Sequence, residues 1–532
     1  MALACVAVCN EPVHGVPVRN GGLYTDSMTS VIDTPRVAPH VEPLAGLTPW
    51  EVCRRLADRD HLLFLDSARP PHPRPLSRGV ESGENLARYS FVSADPLTWL
   101  TSSRGWISEN GRFVAVADPL TVLADRLENF ALEPIDELPP FQGGAAGLFG
   151  YELCHHIEVL PRPIHDDFAC PDLAVGIYDW VIAFDHLTDQ SWVISTGYPE
   201  PDPRRRDKCA RQRAEQVKRW LDRPLPSPSG KGAGGESAGR DVTARQKTAI
   251  ETPQYAIDGL PGITSNFDRS RYLQTIARAI EYTHAGDCFQ VNIAQRLLTP
   301  ARISPLELYS KLRERNPAPF AGYFDLGDRI LISASPERFL RVDGGEIETR
   351  PIKGTRPRGN TPDEDRRLAD ELMASEKDHA ENVMIVDLLR NDLGRVCEYA
   401  SVRVEALCRL ESYQYVHHLV SEVRGRLREG MKPTDLIRAA FPGGSVTGAP
   451  KIRAMEIITE LEETARGPYC GSLGYLGFDG AMDSNLLIRT FVQGGGWLHF
   501  SVGGGIVADS VPEKEYAETW HKAEGLLRAL RD

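Results

Sequence analysis

The sequence lacks any uninterrupted run of about 18 apolar residues, so none of its segments is expected to span a membrane. The N-terminus lacks the basic region of a secretory signal, so no signal peptide is expected there. The ten cysteines stand singly, with no C-x-x-C pair and no Cys/His spacing suited to zinc. In a chain of 532 residues this usage is typical of reduced core cysteines, and the protein is expected to be cytoplasmic.

Positive charge is also scarce. Lys and Arg number 61 against 74 Asp and Glu, which gives a formal net charge of −13. No basic cluster is interleaved with aromatic residues, so a nucleic-acid partner is not expected. A small anionic substrate is compatible with this balance where arginine, lysine or a metal concentrates positive charge locally.

Nucleotide-binding motifs are missing as well. No G-x-G-x-x-G occurs, and the glycine-rich stretch at 441–451 is not a Walker A loop because Gly448 is followed by Ala449. That stretch still predicts a turn that runs into a helix, and helix starts of this kind bind anions. A nucleotide-dependent enzyme is therefore disfavoured.

The length exceeds one typical domain, so two subdomains are expected. Residues 1–42 lack periodicity and are expected to be a loose extension, and 43–222 are expected to form an N-terminal subdomain. The composition of 69–85 cannot pack and predicts a surface insertion. A linker is predicted at 223–265 and a second subdomain at 266–532. Antiparallel strands mixed with helices favour an α+β fold.

Residues 143–150 carry four glycines among apolar residues. Glycine weakens a strand, and it is often found where another backbone approaches the strand closely. The stretch therefore predicts a strand in close contact with its neighbours.

Residues 350–358 place Lys353 just before Gly354, after a strand-like alternation, and predict a turn at the end of a strand. Two nearby arginines, Arg350 and Arg356, are expected to lower the pKa of the lysine, and burial would lower it further. A lysine that is neutral near pH 7 acts as a nucleophile or a base. Taken alone, the same residues also fit a basic surface turn.

Glu381 falls on the apolar stripe of a helix predicted at 377–391. A buried carboxylate is costly unless it is paired or bound to a metal. The alternative is a glutamate at the edge of the stripe that reaches water or pairs with Lys377 or Arg390.

The last helix is predicted at 512–530, with a capping box formed by Ser510 and Glu513. Glu518 and Lys522 share its polar face, where alone they would fit an exposed ion pair. Just upstream, the glycines at 503–505 offer bare backbone N–H groups to an anion.

The chain resembles the chorismate-utilising enzymes over nearly all of 268–530 and a core piece of the first half. The matching stretches are 141–153, 286–292, 349–358, 380–387, 417–421, 441–455, 471–477 and 503–510. The resemblance implies a two-subdomain β-sandwich of antiparallel sheets flanked by helices, with chorismate bound in a cleft between the sheets.

The resemblance also implies roles for individual residues. The implied catalytic residues are Lys353, Glu337, His418 and Thr355. The implied substrate-binding residues are Tyr475, Arg489, Gly503, Gly505, Gln290 and Lys522. The implied ligands of Mg²⁺, the metal that would hold the ring carboxylate of chorismate, are Glu381 and Glu518. The residues similar to the family's tryptophan pocket are Ser67, Arg88, Tyr89 and Ser90.

Lys353 separates the members of this family. A lysine here is typical of the enzymes that aminate ring carbon 4, and an alanine of those that aminate carbon 2. By resemblance, the amine attacks carbon 2, the 4-hydroxyl leaves with a proton from Glu337, and ammonia adds at carbon 4. Gln290 favours ammonia, because the water-using members carry a lysine base at this position. The alternatives are amination at carbon 2 and a catalytically idle, tryptophan-binding regulatory subunit.

A source of ammonia is not encoded in the sequence. No G-x-C-x-G turn is followed by a His-x-Glu, and Cys470 has no such downstream partner. Ammonia is therefore expected from a separate glutamine amidotransferase subunit or from solution.

Overall fold

The structure, a computed structural model, describes residues 38–67, 86–223, 247–413 and 416–531. The predicted insertion at 69–85 lies outside the described residues, as do most of the predicted extension and the first half of the predicted linker. The described residues all fall in one compact unit that spans Arg36–Asp532.

Local sequence signals account for the start of most of the helices. The α-helices of the described residues are α1 (Pro49–Arg55), α2 (Pro119–Leu127), α3 (Pro203–Leu221), α4 (Arg269–Ala285), α5 (Pro305–Arg315), α6 (Pro362–Met373), α7 (Glu376–Gly394), α8 (Pro433–Ala440), α9 (Lys451–Glu462) and α10 (Pro512–Leu530). Before each of α1 to α7 stands a Ser, Thr or Asp whose side chain accepts a hydrogen bond from the first turn. None of these helices is long and apolar enough to cross a membrane.

The predicted capping box of the last helix is wrong. The N-cap of α10 is Val511, which makes no side-chain cap, and Pro512 occupies the first helical position. The Ser510 hydroxyl instead donates a hydrogen bond of 2.8 Å to Glu515. The proline starts the helix because it has no N–H to leave unsatisfied there.

The strands are mostly short. In chain order they are β1 (His40–Pro43), β2 (Leu63–Asp66), β3 (Tyr89–Ser93), β4 (Thr98–Ser103), β5 (Trp106–Glu109), β6 (Arg112–Val116), β7 (Gly144–Phe149), β8 (Leu173–Tyr178), β9 (Trp180–Asp185), β10 (Gln190–Ser195), β11 (Tyr255–Ala256), β12 (Thr264–Ser265), β13 (Gln290–Pro300), β14 (Phe320–Asp325), β15 (Arg329–Ser335), β16 (Arg338–Asp343), β17 (Glu346–Thr349), β18 (Ile352–Pro357), β19 (Arg403–Ser412), β20 (Val416–Arg426), β21 (Gly448–Ala449), β22 (Ser472–Gly477), β23 (Met482–Asn485), β24 (Thr490–Gly494) and β25 (Trp497–Ile506).

These strands form two antiparallel sheets. The first has 13 strands in the order β1-β10-β9-β3-β2-β14-β15-β24-β25-β13-β12-β11, with β21 beside β13. The second has 12 strands in the order β18-β20-β17-β16-β23-β22-β7-β8-β4-β5-β6, with β19 beside β20. The predicted α+β class is confirmed, because helices flank two sheets whose ladders are antiparallel.

Both sheets join the two halves of the chain. In the first sheet β2 pairs with β14, so that Phe64 lies opposite Tyr323. In the second, β7 pairs with β22, so that Gly147 lies opposite Gly474. The predicted subdomains therefore share their sheets. Their division remains a prediction, but the boundaries need two changes: β1 begins inside the predicted extension, and β11 and β12 lie inside the predicted linker.

The core between the sheets is apolar and drawn from both halves. One buried cluster contains Leu63 and Phe324 from the first sheet and Leu148 and Tyr475 from the second. Inner-face side chains that interdigitate in this way hold two sheets face to face.

The glycine-rich strand β7 confirms the predicted close backbone approach. At Gly147, whose φ is +153°, an added Cβ would lie 2.3 Å from the Ala174 carbonyl oxygen and 2.8 Å from the Val175 Cα. Glycine is required there because the backbone of β8 occupies the space of a side chain.

We expect Gly147→Ala to lower the free energy of unfolding by about 1–3 kcal/mol, because the methyl group meets backbone that cannot move aside. The midpoint of thermal unfolding measures this. Gly394→Ala is the matched control, since nothing lies within 4 Å of the Cβ that it adds, and it should leave the midpoint unchanged or slightly raised. Equal midpoints for the two variants would contradict the close approach.

Candidate active site

Lys353 lies within strand β18 rather than in the predicted turn. The pairing of β18 with β20 shifts register between Lys353 and Thr355, and Gly354 between them has a φ of +77°. This bulge re-aims the lysine, as bulges commonly do beside active sites. The Nζ atom donates a hydrogen bond of 3.2 Å to the backbone carbonyl of Ser445.

The pKa of Lys353 is lowered, as predicted, but of the two predicted causes only burial acts. Burial is the main cause, and the positive charge of Lys522 adds to it, while Glu381 opposes the shift. The two arginines that were expected to act are neutralised by carboxylates. Arg350 forms ion pairs with Glu411 and Glu422.

Arg356, the other predicted cause, forms ion pairs of 2.9 Å with Glu371 and 3.5 Å with Asp378. Because its charge is already matched by acidic partners, it adds little net positive field at the lysine. Burial, which sequence proximity does not report, is what favours the neutral amine.

Glu337 lies in the short connection between β15 and β16 and is buried. Burial raises its pKa to about 7, although a hydrogen bond from Ser445 and the charge of Lys353 act in the opposite direction. The Ser445 hydroxyl donates to Glu337 Oε1 over 2.9 Å. The carboxyl group is therefore partly protonated near neutral pH and can give a proton to a leaving group.

Ser445 was missed at the sequence level. It lies in a one-turn 3₁₀ helix, Gly444–Val446, within the glycine-rich turn from which only anion binding was predicted. The turn does precede a helix, as predicted. What sequence could not show is that Lys353 and Glu337 both meet Ser445.

His418 lies on β20 with its ring buried. Its Nδ1 and the Thr355 hydroxyl lie 2.9 Å apart in a hydrogen bond. Burial, followed by the charge of Arg489, lowers the pKa of His418 to about 3. The imidazole is therefore neutral at pH 7 and can exchange hydrogen bonds without carrying charge.

Arg489 stands just before β24 with an unusual backbone φ of +52°. Its guanidinium group forms no hydrogen bond or ion pair with the residues that the structure describes. Burial lowers its pKa, and Glu337 opposes the shift. A shielded guanidinium without a partner is suited to bind a carboxylate through two parallel hydrogen bonds.

Gln290, at the start of β13, is fully buried, and neither its amide nitrogen nor its amide oxygen has a hydrogen-bond partner among the described residues. A Cβ added at Gly505 would lie 2.6 Å from its Nε2 atom. Glycine at 505 thus leaves room for this amide. Buried unpaired polar atoms are rare, and this amide is free to bind water or a small polar ligand.

Two implied metal ligands lie on different helices. Glu381 is on α7, 3.9 Å from Lys377, and Glu518 is on α10, 2.7 Å from Lys522. Burial raises the pKa of Glu381, and Glu518 is among the neighbouring charges that raise it further. The Lys522 ammonium also donates to the Gly503 carbonyl over 3.0 Å.

The donor chemistry of these two carboxylates fits Mg²⁺. No group of three or more His, Cys, Asp or Glu residues close enough to hold a metal occurs in the described ranges. Magnesium, however, is usually held by one or two carboxylates together with substrate oxygens and water. The negative charge of Glu518 is among those that raise the pKa of Glu381, and a bound cation would relieve this repulsion.

Tyr475 lies in a different place from the other implied substrate-binding residues. Its ring stacks on Phe141 at 4.6 Å and meets Phe91 edge-on at 5.6 Å. It lines a cavity of about 520 Å³ together with Ser67 and Arg88. The structure therefore groups Tyr475 with the predicted tryptophan pocket, and the prediction that it joins Arg489 in the same site needs correction.

Three of the four predicted tryptophan-pocket residues line this cavity, namely Ser67, Arg88 and Tyr89. Ser90 lies behind them, where its hydroxyl contacts His186 at 2.8 Å and accepts a hydrogen bond of 3.0 Å from the Ser67 N–H. The guanidinium of Arg88 pairs with Asp185 at 2.7 Å and lies 4.8 Å from the centre of the Tyr89 ring. The cavity offers aromatic and charged groups together.

Comparison with known proteins gives a consistent result. Residues 102–528 match the family model described as chorismate binding enzyme. The chain is 44% identical to anthranilate synthase component 1 of Thermus thermophilus, over 93% of this chain and 98% of that protein. It is 41% identical to aminodeoxychorismate synthase component 1 of Salmonella typhimurium, over 87% of this chain and 95% of that protein.

The similarity extends to solved structures. The crystal structure of anthranilate synthase component I from Streptococcus pneumoniae superposes with a TM-score of 0.68 at 31% identity, over 86% of this chain and 95% of that one. The relatives thus catalyse two different reactions, and overall identity does not separate them.

We expect the buried carboxyl of Glu337 to make stability depend on pH. Its folded-state pKa of about 7 lies above the usual 4.5, so the folded protein binds more protons, and stability falls as pH rises between these values. Glu337→Gln should therefore match the wild type at pH 4 and exceed it at pH 8 by up to about 3 kcal/mol.

The matched control is Glu348→Gln. The pKa of Glu348 is lowered despite burial, chiefly by Arg338, so its charge stabilises the fold above pH 4.5. Its loss should lower the unfolding midpoint at pH 8. If both variants shifted the midpoint in the same direction at that pH, the assignment of Glu337 as a buried acid would be wrong.

Proposed function

Because the chain belongs to the family of chorismate-binding enzymes, we propose that it aminates chorismate at ring carbon 4 to give 4-amino-4-deoxychorismate, for 4-aminobenzoate and folate synthesis. The observation that carries this proposal is the proximity of a lysine with a lowered pKa, Lys353, to a carboxyl with a raised pKa, Glu337. A neutral amine and a neutral acid are the nucleophile and the proton donor that such a substitution needs.

The first displacement forms a bond between Lys353 Nζ and ring carbon 2. The ring double bonds shift, the bond between carbon 4 and its hydroxyl oxygen breaks, and Glu337 gives its proton so that water leaves. The lysine nitrogen becomes a secondary ammonium and Glu337 a carboxylate. Two easier displacements thus replace one difficult step.

The second displacement restores the enzyme. Ammonia bonds to carbon 4, the double bonds shift back, and the lysine nitrogen leaves carbon 2 with the bonding electrons as a neutral amine. The new ammonium at carbon 4 returns one proton to Glu337. The sum is chorismate plus ammonia giving 4-amino-4-deoxychorismate plus water.

Other groups would orient the reactants. The unpartnered Arg489 would bind a substrate carboxylate, and the neutral imidazole of His418, fixed by Thr355, would accept or donate a hydrogen bond at the ring. The orphaned amide of Gln290 would hold ammonia, since it offers both a donor and an acceptor but cannot deprotonate water.

Mg²⁺, bound by Glu381 and Glu518, would supply positive charge to the ring carboxylate of chorismate. Lys522 is already paired with Glu518 at 2.7 Å, so in a protein whose net charge is −13 the added positive charge would come from the metal. A dianionic substrate requires such local compensation.

The source of ammonia follows from the same proposal. The relatives are named as component 1 of their enzymes, and no glutaminase signature occurs in this sequence. We infer that a separate glutamine amidotransferase subunit delivers ammonia.

The cavity lined by Ser67 and Tyr89 would bind tryptophan as a structural or regulatory ligand.

Amination at carbon 2, as in anthranilate synthase, is the second candidate. The 44% identity to the Thermus relative, set beside 41% to the Salmonella relative, keeps this reaction open. The two reactions differ in one observable: 4-amination leaves the enolpyruvyl group on the product, whereas formation of anthranilate releases pyruvate.

We expect the purified chain, given chorismate, Mg²⁺ and an ammonium salt, to form a product that keeps the enolpyruvyl group. Mass spectrometry identifies it. In the absence of ammonia, intact-protein mass spectrometry should detect an adduct on Lys353, and Lys353→Ala should lose 4-amination by at least about 100-fold because the nucleophile is gone. Release of pyruvate by the wild type would contradict the proposal. So would 4-amination by Lys353→Ala at the wild-type rate.

We also expect Mg²⁺ to be required. Excess EDTA should abolish turnover without changing the unfolding midpoint, and Glu381→Gln or Glu518→Gln should weaken Mg²⁺ binding measured by calorimetry, since each removes a charged ligand. The control is Glu524→Gln, on the same helix as Glu518. The Glu524 carboxylate pairs with Arg528 at 2.9 Å instead. Full activity in EDTA would exclude a metal role for these glutamates.

A further inference from the structure

Ser445 contacts both of the groups that the proposed reaction needs. Its backbone carbonyl accepts a hydrogen bond of 3.2 Å from Lys353 Nζ, and its hydroxyl donates one of 2.9 Å to Glu337 Oε1. The lysine reaches it from β18 and the glutamate from the connection that follows β15. No other residue of the described ranges is hydrogen-bonded by its backbone to one of these side chains and by its side chain to the other.

The turn that carries Ser445 is fixed by close packing. A Cβ added at Gly444 would lie 2.4 Å from Leu388 Cδ2, and one added at Gly443 would lie 2.8 Å from Leu486 Cδ2. The two glycines let the turn fit between α7 and the segment before β24. Close packing on both sides therefore holds the backbone of this turn in place.

Hydrogen bonds fix the turn from the other side. The Val446 carbonyl accepts from Arg466 over 3.0 Å, and the Thr447 carbonyl accepts from the Asn292 N–H over 2.8 Å. The Thr447 hydroxyl donates to the Gly443 carbonyl over 3.0 Å. The orientation of Ser445 is therefore set by the fold before any substrate binds.

We propose that Ser445 is a positioning residue that holds the Lys353 amine with its backbone carbonyl and the Glu337 carboxyl with its hydroxyl, so that nucleophile and proton donor keep one fixed geometry. This inference rests on the proposed function and adds to it the residue that couples the two groups. The carbonyl engages one N–H of the amine and so helps to direct its lone pair. The hydroxyl favours the carboxylate that remains after proton transfer, because a hydrogen bond to a charged acceptor is stronger than one to a neutral acid.

Several groups besides the Ser445 hydroxyl influence the pKa of Glu337. Lys353 and Arg489 face it with positive charge, the backbone of Ile352 donates to it, and Cys470 lies within range of its charge. Ser445 supplies the one side-chain hydrogen bond to the carboxyl among the described residues. Its removal should therefore raise the pKa of Glu337 while these other groups stay in place.

The test follows the protonation of Glu337 directly, by ¹³C NMR of protein labelled at the glutamate carboxyl carbon, with Glu337→Gln to assign the signal. Ser445→Ala should raise the pKa of Glu337 by about one pH unit. Ser445→Thr, which keeps the hydroxyl, should restore the wild-type value. Ser484→Ala removes a buried hydroxyl outside this turn that donates to the Leu340 carbonyl and not to Glu337, and it should leave the pKa unchanged.

The pH profile of chorismate consumption gives an independent readout. The basic limb, where Glu337 loses its proton, should move upward with the NMR value in Ser445→Ala and return in Ser445→Thr. Ser445→Cys, close in size to serine, serves if the alanine variant does not fold, and its weaker donor should give a smaller shift. An unchanged Glu337 pKa in folded Ser445→Ala or Ser445→Cys would overturn the inference. A shifted pKa with a product other than 4-amino-4-deoxychorismate would support the role of Ser445 and refute the proposed reaction.

Discussion

Desolvation of the half-buried Lys353 and the buried Glu337 is the constraint on which the site depends. Burial disfavours the charged form of both groups, so it lowers the pKa of the amine and raises that of the carboxyl. In water the two would be an ammonium and a carboxylate, which can neither attack a ring carbon nor protonate a leaving hydroxyl. Shielded by the fold, a fraction of the pair is neutral, and that fraction has the protonation states needed for covalent acid-assisted chemistry.

This shielding comes from the sandwich. Both sheets draw strands from the two halves of the chain, so no single half forms a sheet alone. The lysine, the glutamate and the histidine belong to the segment between residues 337 and 418, while Arg489 precedes β24 and the glycines at 503–505 lie in β25. Glycines such as Gly147 and Gly444 lack a side chain where a neighbouring segment packs directly against the backbone, and so they allow the elements around the interior to pack closely.

The cavity lined by Tyr475, Ser67 and Arg88 is chemically different from the Lys353 site. Its charged groups are matched in pairs, for example Arg338 with Glu348 at 2.7 Å and Arg88 with Asp185 at 2.7 Å. The guanidinium of Arg489 has no such partner in the described part of the chain. A cavity whose charged side chains already form ion pairs suits an amphipathic ligand that is neutral overall. An arginine without an acidic partner suits an anion.

The sequence by itself determined the α+β class, the glycine strand with its close neighbours, most helix starts and the identity of the lysine, because these depend on local pattern, on caps and on motif residues. It also determined which family the chain resembles, through stretches that the comparison with known proteins confirms. It named burial as one cause of the lowered lysine pKa but was wrong about the arginines, since Arg350 and Arg356 are close in sequence but are neutralised by carboxylates from other elements.

Only the tertiary structure decided where Tyr475 lies, why Lys353 is shielded, and that Ser445 contacts both Lys353 and Glu337. Each of these depends on contacts between residues far apart in the chain, across sheets or between a strand and a turn. Local propensity carries no information on such pairs, because burial and electrostatic fields are set by everything that packs around a group.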